Sequence, residues 1–161
     1  MIFVTVGGMR AFERLVRGMD RIAGGLSERV VMQIGSTDYE QKNCDYFRFM
    51  SRGGIEALYA NARVVVCHAG SGSILTALEH NKPLVLVPRL RQYGEVFDDH
   101  QLELARECQN RGTAVVYDID EIESALGIAI PNAIELKGRQ SLTGRLKEYL
   151  DRIDGESKGD S

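Results

Sequence analysis

Several protein classes are excluded by what this chain lacks. Its 161 residues include three cysteines, Cys44, Cys67 and Cys108. They are odd in number and widely spaced, so they form neither a disulfide framework nor a zinc motif, and they fit a reducing compartment. Positive charge is not in excess: 20 Lys and Arg against 23 Asp and Glu give a formal charge of −3, and the sequence pI is ≈ 5.7. That balance argues against a nucleic-acid partner held by a basic surface. Apolar runs such as Val64-Val65-Val66-Cys67 and Leu84-Val85-Leu86-Val87 fall far short of the roughly 20 residues of a membrane helix. The opening MIFVTVGG has no basic region or cleavage site, so a first strand is expected there rather than an export signal. Nothing has the HExxH or paired-histidine spacing of a metal site, and there is no internal repeat or linker.

What is present is ordinary for a globular domain, with 43% hydrophobic and 27% charged residues. The length suits one domain and leaves no room for a second. Short apolar, β-branched runs at 2–6, 29–34, 46–50 (weak), 64–67, 84–87 and 113–117, most of them continuous, read as strands covered on both faces. Between them apolar residues recur at helical spacing: Phe12, Leu15, Val16, Met19 and Ile22; Ile55, Leu58 and Tyr59; Ile74, Leu75 and Leu78; Leu102, Leu104, Ala105 and Cys108. The alternation predicts a Rossmann-like α/β fold, a parallel sheet with right-handed crossovers and helices on both faces. One domain is expected over 1–154. It ends in an amphipathic helix carrying Leu142, Leu146, Tyr149, Leu150 and Ile153, and a small, polar, disordered tail follows at 155–161.

The sharpest local pattern is the apolar run 64–67 leading into His68-Ala69-Gly70-Ser71-Gly72-Ser73, with helical sequence straight after. A strand that enters a glycine-rich turn and then a helix aims several N–H groups and the positive end of a helix dipole at one spot, which favours a phosphate. The same residues also read as a tight turn with a serine cap and no ligand. It is neither the dinucleotide fingerprint, since Leu75 stands where a third glycine is needed, nor a P-loop, nor a nucleophile elbow, since Ala69 replaces the first glycine.

Glu79, two helical turns on, has the chemistry to hold a ribose diol or to stand as a solvated surface carboxylate. Asp99, His100 and Gln101 open the next helix, where they could reach a polyhydroxylated ligand; Asp98 or Asp99 would alternatively cap it. Arg89 and Arg91 could add positive charge or be solvated. Gly7 and Gly8 end the first strand, and strand ends are where open α/β sheets place ligands. Asp98 and Asp99 are adjacent, which does not suit a glycosidase pair.

The stretch CHAGSGSILTALEHNKPLVLVPRL, the later DDHQLELA, the opening IFVTVGG and VVMQIGSTDY together resemble the C-terminal domain of glycosyltransferase family 28. The likeness extends over residues 1–127. It is strongest to the small catalytic subunit of two-part UDP-GlcNAc transferases and to similar bacterial exopolysaccharide half-enzymes. The resemblance implies the donor-binding, C-terminal half of a GT-B fold. It assigns Gly70, Ser71, Gly72 and Ser73 to the donor diphosphate, Glu79 to the ribose, and Asp99, His100 and Gln101 to the donor sugar. Backbone around Phe49, Met50 and Ser51 would meet the uracil, and Gly7 and Gly8 would border the cleft. The family often has Gly-Thr in that first loop, where this chain has Gly8-Met9-Arg10.

The implied reaction is an inverting transfer of a sugar, GlcNAc first, from a UDP-sugar to a polyprenyl-linked acceptor. No metal or other cofactor is expected, because helix dipole and backbone N–H groups would neutralise the leaving diphosphate. A membrane-anchored, acceptor-binding subunit would supply the missing half, and the helix around Leu142–Ile153 could dock it or cover this chain's own sheet. The general base stays unassigned, with His100 the candidate on this chain. The expected location is the cytoplasm, peripheral at the cytoplasmic membrane face through the partner. Alternatives are a non-catalytic nucleotide-sugar-binding subunit, separated by whether chain plus partner turns over donor, and a sugar-nucleotide epimerase relative, which the short length disfavours.

Overall fold

The computed structural model describes residues 1–129 and Gly144. The domain boundary at 154, the amphipathic helix expected from Leu142 to Ile153, and the tail at 155–161 lie outside the described residues, Gly144 apart.

Six strands form one parallel sheet among the described residues: β1 (Ile2–Thr5), β2 (Val30–Gln33), β3 (Asp45–Phe47), β4 (Val64–Cys67), β5 (Leu84–Leu86) and β6 (Ala114–Val115), in the order β3-β2-β1-β4-β5-β6. The helices are α1 (Glu13–Ala23), α2 (Arg52–Asn61), α3 (Ser71–Glu79), α4 (His100–Gln109) and α5 (Ile122–Ile128). β1 is central, with Ile2 in register with Val30 on one side and Val64 on the other.

Alternate side chains of each strand enter different cores because successive residues point to opposite faces. Ile2, Val4, Val64 and Val66 join Leu15, Val16 and Met19 of α1 and Ile122 and Leu126 of α5. Phe3, Val65 and Cys67 join Tyr59 of α2, Ile74 and Ala77 of α3, and Leu104 and Cys108 of α4. Both faces of the central strands are therefore covered, which is why β1, β4 and β5 read as apolar runs.

One connection has no helix. β2 reaches its parallel neighbour β3 through an irregular loop, and a buried carboxylate on α1 holds that loop in place. Asp20, 2% exposed, accepts from the backbone N–H groups of Lys42 (3.0 Å) and Asn43 (2.9 Å) and from the Tyr39 hydroxyl (3.1 Å). The strand expected at 46–50 accordingly begins earlier and ends at Phe47. The run at 113–117 contributes only Ala114–Val115.

The strand order reverses between β1 and β4: the chain builds outward through β2 and β3, then returns to lay β4 on the other flank of β1. Beyond the carboxyl ends of those two strands the following loops must diverge, which leaves a crevice.

Candidate functional site

The loops after β1, β4 and β5 meet over that crevice around a cavity of about 390 Å³. The β1 side contributes Val6, Gly7, Gly8, Met9 and Arg10, and the β4 side His68, Gly70, Ser71, Gly72 and Ser73. Arg89 and Gln101 complete the lining.

The β1 loop owes its shape to two tight approaches. Gly7 is left-handed (φ 72°), and its N–H donates to Thr5 Oγ1 (3.2 Å), whose hydroxyl donates to Gln33 Oε1 (2.7 Å). Gly35, also left-handed (φ 52°), lies so close that a Cβ there would stand 2.6 Å from the Gly7 carbonyl oxygen. Larger residues at either position would push the loops apart.

On the β4 side Gly70 is the N-cap of α3, with no side-chain cap bond, so neither Ser71 nor Ser73 caps the helix. Both lie inside its first turn instead, and α3 starts earlier than the apolar periodicity from Ile74 indicates. Uncapped first-turn N–H groups have no partner within the helix, and here the residues that carry them line the cavity. The turn is braced from behind: Thr76 Oγ1 donates to the Gly72 carbonyl (2.9 Å) and Tyr59 Oη to that of Ser73 (3.4 Å).

His68 occupies the space left by two glycines. A Cβ on Gly7 would sit 2.8 Å from His68 Cε1, and one on Gly70 would fall on Nε2. Its Nδ1 is buried and finds no hydrogen-bond partner among the described residues. Burial, then the nearby Arg89 charge, push its pKa down to about 4 against a small counter-pull from the Thr5 backbone, so the imidazole is neutral at physiological pH.

The other residues singled out from the sequence lie at varying distances from this centre. Gln101 lines the cavity, and its Oε1 accepts from the Arg89 N–H (3.4 Å). Asp99 and His100 are exposed at the start of α4 and do not line the cavity; Asp99 occupies the N-cap without a side-chain cap bond, and Asp98 Oδ1 accepts from the His100 N–H (3.1 Å).

Glu79 is exposed at the far end of α3, roughly 12 Å along the axis from Ser71 at 1.5 Å per residue. It faces the start of α2. The Arg52 pKa is raised by its hydrogen bond to Glu56, by the Glu56 charge and, more weakly, by Glu79. Ser51 is the N-cap of that helix, its hydroxyl accepting from the Gly54 N–H (3.3 Å), and Met50 beside it is exposed. Glu79 is thus within electrostatic reach of the helix start at which the Met50–Ser51 turn sits.

The fate of the two arginines differs. Arg91 is exposed, 3.7 Å from Asp99. Arg89 is 3% exposed and enclosed by the loops. The sequence leaves Arg89 open between adding positive charge and being solvated, and it is the buried one of the pair; His68, Val6, Met9 and Arg10 line the cavity with no role assigned to them by motif reading, and the signal for His68 and Arg89 is adjacency to a strand end, at Cys67-His68 and Pro88-Arg89.

Among the described residues no Asp or Glu lines the cavity, whereas Arg10, Arg89 and the α3 N-terminus do. Such a surface attracts an anion. Among the described residues no cluster of His, Cys, Asp or Glu could hold a metal ion, and no helix is long and apolar enough to cross a membrane.

Comparison with known proteins adds relatives to this geometry. The glycosyltransferase family 28 C-terminal domain matches residues 1–140. UDP-N-acetylglucosamine transferase subunit ALG13 of Homo sapiens is 30% identical over 124 residues, covering 69% of this chain and 10% of its own length. The UDP-N-acetylglucosamine--N-acetylmuramyl-(pentapeptide) pyrophosphoryl-undecaprenol N-acetylglucosamine transferase of Chlorobium luteolum is 30% identical over 142 residues, 84% of this chain and 36% of that protein. The chain thus spans well under half the length of either relative.

Among solved structures, the glycotransferase of kitacinnamycin superposes with a TM-score of 0.65 at 18% identity, over 91% of this chain and 39% of that one. The NMR structure of ALG13 gives 0.55 at 17% identity, over 81% and 87%. These likenesses identify the fold, the Rossmann-like C-terminal half of GT-B glycosyltransferases. With residues 1–140 inside the family match, the chain belongs to the glycosyltransferase family 28 C-terminal domain family.

Proposed function

We propose that this chain is the donor-binding, catalytic subunit of a two-component inverting glycosyltransferase. It takes a UDP-sugar, GlcNAc first, and serves a polyprenyl-linked acceptor held by a membrane-anchored partner at the cytoplasmic membrane face. The observation that carries the reading is the crevice at the β1/β4 reversal, which the uncapped α3 N-terminus lines and no carboxylate among the described residues does. The names of the matched relatives supply the donor class.

In this reading the diphosphate lies against Gly70, Ser71, Gly72 and Ser73. Glu79 accepts hydrogen bonds from the ribose hydroxyls, and the Met50–Ser51 backbone borders the uracil. Gln101 reaches the donor sugar from the cavity wall, with Asp99 and His100 at its outer edge, and Gly7 and Gly8 form the opposite lip. The acceptor hydroxyl attacks the anomeric carbon from the face away from the diphosphate. As the new C–O bond forms, the bond from C1 to the β-phosphate oxygen breaks and its electron pair leaves with UDP. The α3 dipole and first-turn N–H groups neutralise that charge with no metal or other cofactor. The acceptor proton passes to a base on the partner, since His100 stands outside the cavity lining.

The test has two arms. Purified chain alone transfers little sugar, and activity appears when membranes carrying the partner are added; full activity of the isolated chain refutes the two-component reading. Glu79→Ala lowers UDP affinity about 10–150-fold, the equivalent of one hydrogen bond to a charged group. Unchanged affinity removes Glu79 from the ribose.

A further inference from the structure

Arg89 is a buried cation with no ion-pair partner among the described residues. Its Nη2 donates to two carbonyls, Val6 (2.9 Å) and Arg10 (2.8 Å), and its guanidinium lies over the Phe12 ring at 4.7 Å. Its Nε is buried without a partner. Among the described residues no carboxylate forms an ion pair with it. Glu95 influences it through space, but that carboxylate is committed elsewhere: Arg14 grips both oxygens (2.8 and 3.0 Å) and the Leu90 N–H donates to one (2.9 Å).

A charge taken out of water at this cost is ordinarily paired. Two carbonyl dipoles and an aromatic face offset only part of the desolvation. Glu95 attracts the guanidinium from a distance and Arg10, a second cation, opposes it more weakly; neither forms an ion pair with it, so burial is the largest influence on its charge. Arg89 also lines the same cavity as the α3 N-terminus, where no acidic side chain among the described residues competes for it. The free energy of keeping a guanidinium there is recovered when an anion enters. A planar fork favours phosphate oxygens over a point charge.

We propose that Arg89 builds a phosphoryl-binding subsite in the crevice, beneath the β1 loop and in the same cavity as the α3 N-terminus. The subsite rests on the transferase reading for the bearer of the phosphate, which is either the nucleotide diphosphate of the donor or the diphosphate of a polyprenyl acceptor. Arg89 also staples the loop between Val6 and Arg10, so a variant must separate anion binding from loop collapse.

Arg89→Lys keeps a cation but gives up the fork, and Arg89→Gln removes the charge. Both are titrated, as the full chain, with uridine, UDP and farnesyl pyrophosphate. For Arg89→Lys the expected result is a roughly 10–100-fold loss of affinity for one of the two diphosphates, with uridine unchanged within about threefold. The diphosphate that weakens names the source. Arg89→Gln loses at least as much; if it fails to fold, the Lys variant decides alone. Unchanged affinity for both diphosphates, or equal loss for uridine and the diphosphates, overturns the subsite. A wild-type chain that binds uridine but neither diphosphate overturns it as well. A wild-type chain that binds farnesyl pyrophosphate but neither uridine nor UDP overturns the donor reading and leaves the subsite standing on its own titration. Binding of none of the three overturns both.

Discussion

Replacing Gly72 with alanine separates folding from binding. Gly72 lies in the first turn of α3, has no left-handed φ, and a Cβ there meets no atom within 4 Å. Nothing in the fold therefore needs glycine at this position. Alanine restricts the unfolded chain and suits a helix better, by about 0.5–1 kcal/mol. For a chain of this size that corresponds to a rise in Tm of about 1–4 °C. The methyl group projects into the space where the diphosphate is proposed to approach the first-turn N–H groups. It should displace at least one charge-assisted hydrogen bond, a loss of about 1.5–3 kcal/mol, or roughly 10–150-fold in UDP affinity. Scanning calorimetry and UDP titration on one preparation thus move in opposite directions. A higher Tm with undiminished UDP affinity refutes the idea that phosphate lies against Gly72. A lower Tm refutes the helical frame on which that idea is built.

Two further substitutions probe the same crevice. Gly35→Ala combines a left-handed φ with a 2.6 Å approach of Cβ to the Gly7 carbonyl; since both partners are backbone, a destabilisation of about 2–4 kcal/mol is expected, and chemical denaturation with a loss under about 0.5 kcal/mol would contradict the loop contact. The His68 ionisation gives a pH dependence with a definite sign. Its folded pKa of about 4 lies below the ordinary value of about 6.5, so the unfolded chain binds the proton more readily. Its contribution is fully present above about pH 6.5, is lost as pH falls toward 4, and amounts to about 3 kcal/mol at 1.36 kcal/mol per pH unit. His68→Gln should flatten the stability profile between those limits, and an unaltered slope would mean that the imidazole is not held neutral by burial.

How much of this was legible in the sequence depends on where each signal resides. The strands β1, β2, β4 and β5 announce themselves because both their faces are covered, and a run such as Val64–Cys67 has no reason to alternate. β3 is a short edge strand with exposed Asp45 and Tyr46, so its boundary carries little hydrophobic signal. α5 has Ile122, Ala125 and Leu126 at helical spacing, but a stripe of two turns does not stand out from a loop. The start of α3 is displaced from the periodicity because Ser71, Gly72 and Ser73 are poor helix formers by propensity. They are tolerated in a first turn, where the N–H groups need no intrahelical partner.

The candidate site divides the same way. The turn at Gly70–Ser73 is local: strand, glycines and helix adjoin in the chain, so its potential for anion binding follows from adjacency alone. The part around Arg89 is assembled from contacts that no window of sequence contains. Arg89 bonds the carbonyls of Val6 and Arg10 across separations of 83 and 79 positions, and Arg14 fixes the loop beyond β5 through Glu95, 81 positions away. Those pairings exist because a parallel sheet of this order brings the ends of β1 and β5 to the two sides of β4. Before the topology is known, Arg89 and Arg91 are equivalent: two cations after a strand, separated by one leucine. The fold breaks the tie, turning the first beneath the β1 loop and leaving the second in water beside Asp99. A cation buried in this way constrains function more than an exposed one, since the carbonyls of Val6 and Arg10 and the Phe12 ring offset only part of its desolvation.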